Sequence, residues 1–241
     1  EEQIERAMGQ IDKGLRDQGT QMALGYMASQ ITDPDKREKL LPDFPLGGKR
    51  PIGSDTFLKA LDRSNVEIVT APIARISADA VHTGDGVAHR VDAIVYGTGF
   101  ATSQYLAPMR IFGRDGRELH DVWRDGAEAY AGVNVAGFPN FFMVYGPNTN
   151  VQGSVLAVIE PQVDYILKCL EAYKTGARTI EIKPEVQQAF NAQLQADLGG
   201  TIFGMHTAHN YYSAANGRIV TQWPGPLTGY VPVMPRSPAV V

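Results

Sequence analysis

The sequence predicts an α/β chain, and a lopsided one. Helical apolar spacing dominates its first third. Runs of alternating or β-branched residues then take over, "NVEIVTAPIARI" and "AVHTGDGVAHRVDAIVYG". A strong amphipathic helix pattern follows later, after an apolar run that ends in Gly146-Pro147. No strand–glycine loop–helix unit stands at the start, where a complete dinucleotide-binding fold would put one.

Ile4, Ala7, Met8, Ile11 and Leu15 recur at helical spacing, so residues 1–31 read as helical. "TDPDKREKLL" starts a second helix, with Thr32 or Asp33 as cap, Pro34 in the first turn and Asp35 against the dipole. "PDFPLGGKRP" is a loop by its prolines and glycines, and "DTFLKAL" a short helix capped by Ser54 or Asp55. The period then shortens, with Gly84-Asp85-Gly86 as a hairpin turn. The run Ala93–Tyr96 predicts a strand, "MRIFGRDGREL" a second hairpin, and Phe141–Tyr145 a short buried strand. The long helix "GSVLAVIEPQVDYILKCLEAYKTG" carries Val155, Val158, Ile159, Val163, Ile166, Leu167 and Leu170 as one apolar stripe. Pro161 should kink or restart it, and Gly176 should end it. "TIEIK" reads as a strand and "PEVQQAFNAQLQADL" as a helix opened by Pro184; the tail from about Thr201 is irregular.

Bulk properties narrow the function classes. The 241 residues suffice for one large domain or two small ones, and the composition is 44% hydrophobic and 20% charged, as in ordinary globular proteins. A net charge of −4 gives no footprint for nucleic acid. No apolar run is long enough to span a bilayer, so no transmembrane segment is expected. The single Cys169 excludes a disulfide framework within the chain. It suits a reducing compartment, and with no visible signal peptide it points to the cytoplasm.

Gly97-Thr98-Gly99 begins like a dinucleotide fingerprint, but Thr102 stands where the third glycine belongs and Pro108 stops any following helix. The glycines instead mark a strand end where the backbone turns or approaches something closely. Lys49-Arg50, in a Gly/Pro loop, could grip an anion or simply face solvent. Gly146-Pro147-Asn148 precedes the strong helix, so a ligand there would meet free N–H groups and a positive dipole end; a plain corner is the alternative. His206 and His209 have spacing that could share a metal, but lack a Glu or Cys partner at a zinc spacing, so no metal site is expected. Cys169 reads as inert packing. Trp123, Trp223 and Tyr211-Tyr212 could stack on a flat ligand or pack. No nucleophile elbow and no Walker loop occur.

Five segments together resemble the C-terminal half of type I Baeyer–Villiger monooxygenases, a flavin-dependent family. They are "GGKRPIGSDTFLKALDRSNVEIV", "DAIVYGTGF", "MRIFGRDGRELHDVW", "GFPNFFMVYGPNTN" and "NYYSAANGRIVTQWPG", in family order. "YGTGF" and "YGPNTN" look most like the hydroxyacetophenone monooxygenase subgroup.

That resemblance implies the returning halves of a flavoprotein with two dinucleotide-binding domains, for FAD and for NADP. Residues 1–90 would be a helical insert and the end of the NADP domain, and residues 91–241 the returning part of the FAD domain with a substrate-side loop and aromatic tail. The family's two glycine fingerprints and the His-containing signature between them would lie upstream of Glu1. The isolated chain would then be inactive and would associate with an N-terminal half or with itself. The implied reaction inserts one oxygen of O2 beside a ketone carbonyl, of an aryl or cyclic ketone, with NADPH as electron donor. Arg50 matches the catalytic arginine, whose fixed cation would stabilise an anionic flavin peroxide. Lys49 would help hold NADP. Thr98, Gly99 and Phe100 would face FAD, Gly146, Pro147 and Asn148 would meet the flavin ring, and Tyr211 falls where many members carry a Trp contacting NADP and substrate. Two other readings stay open: an N- or S-oxygenating flavin monooxygenase, and a non-catalytic module that needs a partner to bind FAD.

Overall fold

A computed structural model of the chain describes residues 13–102, 104–151, 153–174, 176–205, 212–214 and 216–231. The chain divides into two compact units, one of Gln18–Asp43 with Ile52–Phe100, the other of Phe44–Pro51 with Ala101–Val241 and the residues up to Asp17.

In the Gln18–Phe100 unit, helix α1 (Lys13–Gln30) ends beside buried Met27 and Ile31; of the predicted helix over 1–31, residues 1–12 lie outside the described residues. Helix α2 (Pro34–Lys39) is capped as the sequence predicts: the Asp33 carboxylate accepts from the N–H groups of Asp35 and Lys36. Helix α3 (Phe57–Leu61) has Thr56 rather than Ser54 or Asp55 at its cap position, with no capping bond from the Thr56 side chain; the Ser54 hydroxyl, two residues earlier, accepts from Phe57 N–H at 3.1 Å. A polar clamp ties these segments together. Asp62 accepts from the Thr32 hydroxyl and N–H at 2.7 and 2.9 Å, and Lys36 donates to the Leu61 and Arg63 carbonyls. The Thr32 hydroxyl is the main cause that holds the Asp62 carboxyl below its ordinary range.

Strands β1 (Ile73–Ile76), β2 (Ala80–Thr83) and β3 (Ala88–Arg90) form an antiparallel meander in that order. The predicted turn joins β2 to β3, with Gly86 left-handed at φ +88°. The predicted strand Ala93–Tyr96 does not form. Val95 is 94% exposed and the segment has no ladder neighbour among the described residues, so its backbone groups have no strand to pair with.

In the Ala101–Val241 unit, three apolar clusters make the interior. One joins Val133, Val158, Tyr165, Ile180 and Tyr230; a second joins Leu119, Trp123, Val135 and Met143; the third joins Leu194, Leu198, Ile202, Phe203 and Ile219. A short helix, α4 (Leu119–Val122), follows a hairpin-like return in which Phe112 bridges Glu118, as "MRIFGRDGREL" predicts. Helix α5 (Val155–Lys174) runs through Pro161 without a break. Its inner face is Val158, Gln162, Tyr165 and Cys169. The predicted stripe is therefore displaced: Val155, Val163, Leu167 and Leu170 are exposed, along with Leu156 at 68%. The reason is polar pairing, since Gln162 finds partners inside that an aliphatic residue could not use. Gly176 ends the helix at φ +97°. Helix α6 (Pro184–Gly199) starts at its proline as predicted, and α7 (Leu227–Tyr230) is a single turn.

Two further predicted strands are absent. In Phe141–Tyr145 only the Met143 N–H makes a backbone bond that resembles a ladder, to Val133 O at 2.9 Å. "TIEIK" keeps its alternation, with Ile180 and Ile182 buried, but the Asn140 side chain takes the Ile180 N–H where a strand partner would.

Candidate functional site

The Ala101–Val241 unit encloses a polar cavity of about 240 Å³. The loop Phe44–Pro51 contributes Gly47, Arg50 and Pro51 to its wall. Gly47 is buried at φ +88°, and a Cβ there would lie 2.5 Å from Ile202 Cδ1. The left-handed backbone favours glycine here, and the close approach seats the loop against the turn at Ile202–Gly204. Arg50 follows, exposed, with its charge felt at Tyr145. Lys49 is held differently, its ammonium 4.2 Å over the Phe44 ring.

Tyr145, Asn150 and Gln222 continue the wall, and they are hydrogen-bonded in series. The Tyr145 hydroxyl donates to Asn150 Oδ1 at 2.9 Å, and Asn150 Nδ2 donates to Gln222 Oε1 at 3.0 Å. A parallel bridge between Asn150 and Gln222 fixes the backbone beneath this chain. Burial raises the Tyr145 phenol above its ordinary value, and the Arg50 charge opposes that rise. Phe203 and Tyr212 close another side, packed edge to face with centroids 5.2 Å apart.

Gly146, Pro147 and Asn148 lie directly beside this wall in sequence and are buried. The expectation of free N–H groups there is corrected. Gly146 N–H donates to Gly132 O at 3.2 Å and Asn148 N–H to Val220 O at 3.0 Å, while α5 begins only at Val155. Gly146 has a reason within the chain to be glycine, because a Cβ would sit 2.4 Å from Gly132 O. Asn148 is left-handed at φ +57°, and its Nδ2 donates to the carbonyls of Ile219 and Gln222. Its Oδ1 is buried with no partner among the described residues.

Thr98, Gly99 and Phe100 belong to the other unit. All three are exposed, Phe100 at 95%. Gly99 is left-handed at φ +82°, and among the described residues, its two neighbours aside, no atom lies within 4 Å of where a Cβ would stand. Tyr211, with His206 and His209, lies outside the described residues. Cys169 is fully buried, as inert packing requires, and burial raises its thiol. Trp123 packs inside, donating to Glu128 O, and Trp223 packs edge to face on Tyr230.

The sequence reading missed Tyr145, Asn150 and Gln222 as wall residues. The quoted motif "YGPNTN" contains the first two, but the Asn150–Gln222 pair spans 72 positions and leaves no local signal.

No family model matches the chain. It is 37% identical over 207 residues to a Baeyer–Villiger monooxygenase of Pseudomonas aeruginosa, covering 85% of this chain and 39% of that protein. It is 38% identical over 212 residues to an FAD-binding monooxygenase of Aspergillus niger, covering 85% of this chain and 35% of the relative. In structure it overlays on an NADP+-bound cyclohexanone monooxygenase of Rhodococcus sp. Phi1 with a TM-score of 0.80 and 30% identity, over 93% of this chain and 43% of that one. An NADP-bound steroid monooxygenase overlays with a TM-score of 0.81 and 27% identity. The chain thus spans less than half the length of these relatives. Its fold is α/β and corresponds to part of such a two-domain flavoprotein.

Proposed function

We propose that this chain is part of an FAD- and NADPH-dependent monooxygenase that inserts oxygen beside the carbonyl of an aryl or cyclic ketone. The observation that carries the reading is the cavity in which Arg50 stands beside the Tyr145–Asn150–Gln222 wall, in a chain similar to proteins named Baeyer–Villiger monooxygenase.

The donor set fits the ring end of a flavin and a ketone. It combines a cation, amide and hydroxyl groups, and aromatic side chains. The Asn148 Oδ1, buried and without a partner among the described residues, marks the adjoining turn as polar beyond what those residues satisfy. Gly99 supports a close approach from outside, since its conformation needs glycine although nothing of the chain crowds it. A bound flavin, reduced by NADPH, supplies the activation of O2. Arg50 holds a positive charge where negative charge develops at the ketone oxygen, and it keeps that charge at any working pH. Lys49 would bind the NADP phosphate or ribose. Gly146, Pro147 and Asn148 would seat the flavin ring, Thr98, Gly99 and Phe100 would flank FAD, and Tyr211 would stack on NADP or substrate.

The test is to supply the full-length protein with FAD, NADPH, 18O2 and an aryl methyl ketone. Ester carrying one labelled oxygen supports the reading. Sulfoxide or N-oxide from matched substrates, with no ester, would move the protein to the N- or S-oxygenating class. In the same assay Arg50→Ala should lower ester formation about 100- to 1000-fold. NADPH oxidation should continue, with hydrogen peroxide released. Arg50→Lys should rescue poorly, because a point charge does not reproduce the planar fork. Ester formation near the wild-type rate in Arg50→Ala would remove Arg50 from the mechanism.

A further inference from the structure

The cavity wall contains a residue whose backbone is held in a costly conformation. Tyr145 is left-handed at φ +56°, a region that non-glycine residues enter only when their surroundings insist. Two contacts do so, each braced from behind. The Tyr145 N–H donates to Gln162 Oε1 at 2.8 Å. Gln162 itself is fully buried and fixed, with Nε2 donating to the Tyr230 hydroxyl and to Ala131 O. At the other end of the side chain, the Tyr145 hydroxyl is tied to Asn150, and Asn150 to Gln222. Backbone and phenol are thus held independently, and the side chain between them packs against the Val133, Val158 and Tyr230 cluster while lining the cavity together with Arg50.

We infer that Tyr145 determines substrate specificity at this cavity, its anchored ring giving flat aromatic ketones a face that alicyclic ketones cannot use. The inference rests on the oxygenase reading and adds the residue that would set the substrate class. A tyrosine tied at both ends loses little freedom on binding a ligand, so its ring acts as a preorganised surface. Arg50 serves every ketone through its oxygen and so cannot supply this discrimination. Offset or edge-to-face aromatic contact should favour a phenyl ketone by about three- to tenfold.

The experiment compares kcat/KM for acetophenone and cyclohexanone in the full-length protein with FAD and NADPH. The variants are Tyr145→Leu and Tyr145→Phe, each checked for thermal melting. The expected result is a ratio of acetophenone to cyclohexanone about three- to tenfold lower in Tyr145→Leu, through a higher KM for acetophenone. Tyr145→Phe, which keeps the ring, should restore most of the ratio. An unchanged ratio in Tyr145→Leu, with wild type active on both ketones, overturns the inference and leaves the oxygenase reading standing. A ratio lost equally in both variants assigns the effect to the hydroxyl and also overturns it. No ester from either ketone with wild type overturns the oxygenase reading and this inference with it.

Discussion

Two stretches of this chain are built to the same plan and end in opposite states. Ala93–Tyr96 is an apolar run closed by Gly97-Thr98-Gly99, and Phe141–Tyr145 is one closed by Gly146-Pro147-Asn148. In the first, Val95 and Phe100 are almost wholly in solvent. In the second, Met143, Gly146 and Asn148 are buried, with N–H bonds to Val133, Gly132 and Val220. Neither forms a strand, and among the described residues only the second makes long-range backbone bonds. Apolar content and a terminal glycine do not by themselves make ordered structure; long-range partners do.

The comparison breaks most sharply at the matched glycines. Gly146→Ala places a Cβ 2.4 Å from the Gly132 carbonyl oxygen, a backbone atom with no soft way to yield. The expected loss is about 3 kcal/mol, read from the urea midpoint by tryptophan fluorescence. Next comes Gln162→Leu, which leaves the half-buried Tyr145 N–H without its acceptor. About 2 kcal/mol should be lost in the same assay, and an unchanged midpoint would mean that the turn does not depend on this amide. Gly99→Ala should cost no more than about 1 kcal/mol by far-UV circular dichroism, from conformation alone, because no chain atom lies near. A loss equal to that of Gly146→Ala would show that the first stretch is fixed after all.

The smallest effect concerns acid. Asp62 has its carboxyl held low, chiefly by the Thr32 hydroxyl. Its contribution is present in full above the ordinary aspartate range, near pKa ~3.9, and is lost as pH falls through the depressed folded value. Asp62→Asn should flatten the acid limb of ellipticity against pH for the unit that contains it. A limb as steep as wild type would place the acid sensitivity elsewhere.

What could be read from the sequence follows the range of the forces involved. Caps are local, so Asp33 and Pro184 announce α2 and α6, and the Gly86 turn announces its hairpin. The bounds of α5 were legible, but its inward face was not. Apolar counting favours Val163 and Leu167, whereas the interior selects Gln162, whose partners Ala131 and Tyr230 are 31 and 68 positions away. The site divides the same way. Arg50 and Gly146–Asn148 stand in recognisable motifs, while the bonding of Asn150 to Gln222 exists only once the chain has closed.

The inner face of α5 also carries the chain's only thiol, Cys169, fully buried against Tyr165 and its neighbours. Burial both hides the sulfur and disfavours its thiolate, the form that alkylating reagents attack. Each labelling event must therefore wait for the helix to part from its cluster. Cys169 thus serves as a natural clock: under mild alkylation, the rate at which mass is added counts the openings of this interior, with no engineered probe and no second cysteine to confuse the count.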